Sequence, residues 1–264
     1  YISGYYKEMM DAIRSSDGIN PQTNKHYSEY IDVDSFIYYY LCSEIYYNLD
    51  AVLASFFMYK DRNCKLYCGP LWDYDLSLNT KVYFDKANGT NSLFVKEARE
   101  QDGSLMIFGQ LYKHKNFRKR LVELFNNTFL PILRSYYLGN TLDSINQELK
   151  QDLELNRLRW PFNTQRLYKT LRSETTWNTN VQKEYEEIEN KGDFWNIKNF
   201  LIKRVEYLCE IWYEPTNEDL YKIITWDYGY KEQFQHTSTQ ISFFVKNNEK
   251  FIWPRYFTKK ANLQ

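Results

Sequence analysis

The sequence predicts a mainly α-helical α+β protein, and three observations support that class. Apolar residues recur at helical spacing through most of residues 5–213. Two segments, 55–71 and 241–254, instead read as short apolar runs around polar turns, the pattern of β-hairpins. After Glu214-Pro215 the pattern changes, which places a boundary near 215. Residues 1–214 then form the main helical portion. Residues 215–264 form a small β-rich appendage or the start of a domain cut short at Gln264.

Residues 5–15 carry helical spacing and end in Ser15-Ser-Asp-Gly18, a helix followed by a turn. In Ile31-Asp-Val-Asp34, either Asp32 or Asp34 can cap a long helix bearing Phe36, Ile37, Tyr40, Leu41, Glu44 and Ile45. That helix should fade near Asn48-Leu-Asp50. Phe56 to Lys60 and Lys65 to Gly69 read as two short strands around a polar Asp-Arg-Asn. A polar stretch from Asn79 to Gly103 reads as a long loop. Helices are expected over 105–114, 116–137, 141–158, 163–172, 178–190 and 194–213, with Pro131 kinking or splitting the second. The last carries Phe194, Ile197, Phe200, Leu201, Val205 and Leu208 on one core-facing stripe.

Lys plus Arg equal Asp plus Glu at 34 each, so no net field steers the chain toward nucleic acid or an acidic membrane surface. No run approaches the ~18 apolar residues of a membrane span. The aromatic content of 19% predicts a core with many buried hydroxyls that need partners. Cys64 and Cys68 lack zinc-site spacing and read as small apolar residues of the hairpin, too far apart on an extended strand for a disulfide. His26, His114 and His236 are scattered, and each is expected on the surface or in a loop.

Gly69-Pro-Leu-Trp-Asp-Tyr-Asp75 holds the most informative chemistry. Asp73 and Asp75 stand two apart after the hairpin, and on an extended segment side chains at i and i+2 point the same way. Such a pair suits a hard divalent cation that keeps part of its shell for water and phosphate oxygens. The plainer alternative makes Asp73 a turn cap and leaves Asp75 solvated.

Ile31-Asp-Val-Asp-Ser-Phe-Ile, Tyr39-Tyr-Leu, Glu44, Asn48-x-Asp50, Ser55-x-x-x-Tyr59-Lys-Asp61, Lys65-Leu-Tyr67 and Gly69-Pro-x-Trp-Asp-Tyr-Asp75-x-Ser77 stand in an order that resembles the CotH family of spore coat protein H kinases. The resemblance spans about residues 5–213 and implies an atypical protein-kinase-like C-lobe whose β-hairpin carries the metal site. It implies phosphate transfer from ATP to Ser or Thr of coat or surface proteins, at a spore coat or bacterial cell surface. Under it, Asp50 is the catalytic aspartate, and Asp73, with Asp75 as second ligand, holds Mg²⁺ or Mn²⁺. Asn48 is an orienting amide, a second metal ligand, or a helix C-cap. Glu44 is expected to be structural, satisfying a neighbouring Tyr or backbone group. Asn79-Thr80 stands where the family has Gly-Asn, which weakens any metal role of the second residue. No Gly-rich phosphate loop occurs, and the family's β-rich nucleotide-holding region is expected upstream of Tyr1, which makes this chain a fragment or a degenerate member. Two other readings stay open: a non-catalytic coat-assembly module, and a structural Ca²⁺ site at Asp73 and Asp75.

Overall fold

A computed structural model of the protein describes residues 1–78, 91–138, 141–160, 193–214 and the strand residues 235–237 and 240–242. The predicted helices 163–172 and 178–190 lie outside the described residues, as do Asn79 and Thr80. The described elements run α1 (Ile2–Arg14), α2 (Tyr27–Tyr30), α3 (Val33–Ile45), β1 (Met58–Tyr59), β2 (Tyr67–Cys68), α4 (Phe94–Glu97), α5 (Ile107–Leu111), α6 (Lys115–Leu124), a π-helical turn (Phe125–Phe129), α7 (Leu130–Leu138), α8 (Thr141–Arg159), α9 (Asp193–Trp212), β3 (Gln235–Thr237) and β4 (Gln240–Ser242). The chain divides into two compact units, Tyr1–Arg204 and Val205–Gln264, the second starting inside α9.

Helix α3 organises the first unit. Asp32 is its N-cap, accepting a hydrogen bond from the Ser35 N–H at 2.9 Å, so one orphan donor of the first turn is satisfied. The helix is buried nearly all round: Phe36, Ile37, Tyr39, Tyr40, Leu41 and Ile45 are inaccessible, and so are the polar Ser43 and Glu44. Phe108 of α5 is a centre of this packing, with Phe36, Tyr39, Tyr40 and Phe56 all within 6.1 Å ring to ring. Two tyrosine hydroxyls of this region find backbone partners. Tyr39 donates to the Ala51 carbonyl at 2.7 Å and Tyr5 to the Tyr30 carbonyl at 2.6 Å.

The two short strands of the predicted hairpin exist and pair antiparallel, Met58 with Cys68 and Tyr59 with Tyr67. The hairpin is tied to the start of α3, because the Asp32 N–H reaches the Leu66 carbonyl and the Leu66 N–H reaches the Tyr30 carbonyl. The Cys68 N–H also donates to Ser35 Oγ at 3.1 Å. Cys68 is buried as expected, but Cys64 sits exposed in the connecting loop instead of packing on a strand, and both are free thiols.

The predicted 116–137 helix runs without a gap from Lys115 to Leu138, with a change of helical type ahead of Pro131. α7 begins at Leu130, and the turn before it widens to π geometry, which absorbs the hydrogen bond that Pro cannot donate. One expectation is corrected. The second part of the predicted 79–103 loop contains a short helix, α4. His114 stands in the turn between α5 and α6, in keeping with a loop residue, yet it is buried there: its Nε2 lies 2.8 Å from the Ile13 carbonyl, one of the orphan acceptors at the end of α1. In the second unit β3 and β4 pair antiparallel, Gln235 with Ser242, His236 with Ile241 and Thr237 with Gln240, so Ile241 lies in a strand as expected. The rest of that predicted hairpin lies outside the described residues.

Candidate functional site

Helix α3 ends in a Schellman motif. The Tyr47 N–H returns to the Glu44 carbonyl at 3.2 Å and the Asn48 N–H to the Ser43 carbonyl at 2.9 Å. The left-handed position of this motif usually goes to Gly, but here it is Tyr47, at φ 51°. Its ring offsets that strain by packing: it is nearly buried, its centroid lies 5.6 Å from that of Phe94, and its hydroxyl is 3.1 Å from Ser92 Oγ. Residues held in such conformations by their surroundings are typical of functional turns.

Beyond this turn the backbone is fixed by its own side chains. Asn48 is fully buried, and its Oδ1 accepts the Asp50 N–H at 3.0 Å. The Asp50 carbonyl accepts from Leu53, Ala54 and Ser55, a tight coil that folds Ser55 back over Asp50. Ser55 Oγ donates to Asp50 Oδ2 at 2.9 Å and lies 3.4 Å from Asp73 Oδ2. A hydroxyl has one proton, so the shorter bond takes it, and the longer contact is available when the hydroxyl rotates. Asn48 Nδ2 also reaches the Asp73 carbonyl at 3.4 Å.

The second motif lies against the first through the main chain. The Leu49 N–H donates to the Leu76 carbonyl at 3.2 Å and the Leu78 N–H to the Tyr46 carbonyl at 2.8 Å. Between these bonds the chain turns sharply, and Ser77 Oγ donates to the Tyr74 carbonyl. The extended Asp73-x-Asp75 expected from alternation is not present. Asp73 adopts φ 59°, a left-handed conformation that Asp tolerates. The two carboxyls nevertheless interact: the charge of Asp75, then a hydrogen bond to it, holds the Asp73 carboxyl above the usual carboxylate range.

The structure thus brings Asn48, Asp50, Asp73 and Asp75 onto two adjoining turns. Asp73 and Asp75 are exposed and Asp50 is half-buried. Among the described residues no group of three His, Cys, Asp or Glu side chains forms a metal cage. Two mutually repelling, solvent-facing carboxylates fit an ion such as Mg²⁺ that takes one or two carboxylates and completes its shell with water and phosphate oxygens. They fit a many-liganded Ca²⁺ cage less well. Asn48 has its Oδ1 engaged with the Asp50 N–H, which suits an orienting amide.

A family profile described as CotH kinase protein matches residues 3–208. The chain belongs to the CotH kinase family. No curated protein and no solved structure matches it significantly. Within this CotH chain, two groups of the site escaped the sequence reading. Ser55 stands inside a motif but carries no charge to mark it. Arg204 donates from Nε to the Glu44 carbonyl at 2.7 Å and from a terminal nitrogen to Glu44 Oε2 at 3.0 Å, both residues being fully buried. Glu44 is structural as expected, with the Lys96 N–H on Oε1 at 3.0 Å and Arg204 in addition.

Proposed function

We propose that this chain is the phosphate-transferring portion of a CotH-type protein kinase acting on Ser or Thr hydroxyls of coat or surface proteins, with ATP as donor. The observation that supports this most is the Ser55 hydroxyl standing between Asp50 and Asp73, which joins carboxylates from two separate motifs in one site. Phosphoryl transfer needs mainly a carboxylate to orient and deprotonate the acceptor and positive charge at the phosphates. Asp50, held by Asn48 below and Ser55 above, accepts the proton of the acceptor hydroxyl. That oxygen bonds to the γ-phosphorus as the bond from phosphorus to the β–γ bridging oxygen breaks, and ADP leaves. Asp73 and Asp75 would hold Mg²⁺ or Mn²⁺, which when bound neutralises charge developing on the phosphates.

The test is phosphate transfer from γ-labelled ATP to dephosphorylated casein with Mg²⁺. Asp50→Asn is expected to lower the rate by about 10²- to 10⁴-fold, the usual contribution of a general base. Asp73→Asn is expected to abolish the dependence on added metal. Equal rates in wild type and Asp50→Asn would overturn the proposal.

One observation favours a second reading. Phe57 and Trp72 flank the two motifs, are exposed, and meet edge to face with centroids 6.4 Å apart. Apolar rings of this kind suit a protein partner, and a purely assembling module would hold that partner equally well with Asp50→Asn.

A further inference from the structure

We infer that the buried Glu44–Arg204 pair is the positioning device of the candidate site, fixing through the end of α3 where Asn48 and Asp50 stand relative to Asp73. This goes beyond the kinase reading but rests on it in taking Asp50 and Asp73 as the working carboxylates.

A buried guanidinium is costly to leave unpaired, and that of Arg204 binds the last turn of α3 and the Ser92 carbonyl beside it. Its Nε binds the Glu44 carbonyl, the acceptor that also receives the Tyr47 N–H in the Schellman motif. Its second nitrogen pairs with the Glu44 carboxylate, its third binds the Ser92 carbonyl at 2.5 Å, and its guanidinium carbon lies 5.0 Å from the Tyr47 ring centre. Ser92 in turn meets the Tyr47 hydroxyl. One side chain therefore clamps the carbonyl, the carboxylate and the aromatic ring of the residues that turn the chain left-handed at Tyr47.

Everything downstream depends on that turn. Asn48 follows it directly, bonding backward to Ser43 and forward to the Asp50 N–H and the Asp73 carbonyl. A rotation at Tyr47 would carry Asn48 and Asp50 away from Asp73. The carboxylate of Glu44 secures the other side, since its Oε1 holds the Lys96 N–H of α4. Arg204 and Glu44 touch neither reacting group, so they are positioning residues.

The test uses the full chain with Glu44→Gln/Arg204→Met, a near-isosteric neutral pair; replacing both members of a buried ion pair usually preserves folding. Arg204→Lys serves as the milder companion, because it keeps the charge and a donor but loses the fork. Amide hydrogen exchange is read at Asn48, Leu49 and Asp50 and, as reference, along α6. The double variant is expected to speed exchange at the three site amides about tenfold or more while α6 is unchanged, since local opening is independent of global unfolding. Arg204→Lys is expected to speed the same amides by less. In the transfer assay kcat should fall by about 100-fold with KM for ATP unchanged, the scale of a small misplacement of catalytic groups. If the wild type transfers no phosphate, the kinase reading fails and the exchange pattern still decides this inference. Exchange that accelerates equally in α6, or site amides that stay as slow as in the wild type in both variants, would overturn it.

Discussion

Raising the pH through the neutral range is expected to weaken the fold through Glu44. Its carboxyl is pushed up to about 7 from the ordinary 4.5, chiefly by burial, with Arg204 and the Lys96 N–H pulling the other way and the Tyr40 hydroxyl close by. Burial wins because both charges are removed from water, and the attraction between them returns only part of that cost. Between 4.5 and about 7 the folded protein holds a proton that the unfolded chain has released, so stability is full below 4.5 and is lost as the pH rises through 7. At about 1.4 kcal/mol per pH unit, that interval corresponds to about 3 kcal/mol. The assay is urea unfolding followed by tryptophan fluorescence across this range, in wild type and Glu44→Gln. His26 contributes with the opposite sign, since burial, and then the charge of His114, hold its ring below 6.5, but it is present in both proteins. The difference between the two curves therefore isolates Glu44. A difference that is flat, or that rises in favour of the wild type as pH increases, would refute the reasoning.

Ser55→Ala removes a hydrogen bond to a carboxylate, and unfolding by urea should show a loss of about 1.5–3 kcal/mol; Ser55→Thr should restore most of it. Asp32→Ala removes the α3 cap and should cost about 1 kcal/mol in the same assay, with no change in phosphate transfer beyond that explained by stability. Asp75→Asn should bring the Asp73 carboxyl back down toward the ordinary carboxylate range, read by carbon-detected NMR titration of the Asp73 side chain. An unchanged titration would show that Asp75 is not the cause of its elevation.

Much of the first unit was legible because local rules and tertiary structure agree there. Asp32 caps α3, the 58–68 hairpin pairs, and the helix changes to π geometry just ahead of Pro131, each through chemistry confined to a few neighbouring residues. Asp73 and Asp75 were expected together for the wrong local reason. Alternation assumes an extended backbone, whereas Asp73 is left-handed, a state that nothing in Trp72-Asp-Tyr-Asp75 marks as Gly would. The clamp on α3 was illegible at the level of pairs, since Glu44 and Arg204 are 160 positions apart. A signal was nonetheless present: Arg204 interrupts a core-facing stripe between Leu201 and Val205, and a charged residue there needs a buried partner. The burial of His114 in its turn was illegible for a similar reason, because its partner is a carbonyl of α1, 101 positions away.

The bonds from Leu49 to Leu76 and from Leu78 to Tyr46 join the two motif turns through main-chain atoms alone. Those two bonds do not use the carboxylates at positions 50 and 73, so they survive an exchange for side chains that still accept from Ser55 and tolerate the left-handed turn at 73. A descendant that exchanged both carboxylates for amides would keep the same pair of turns while losing the chemistry proposed for them. Silent and working members of such a lineage would share one backbone and differ in a handful of oxygen atoms.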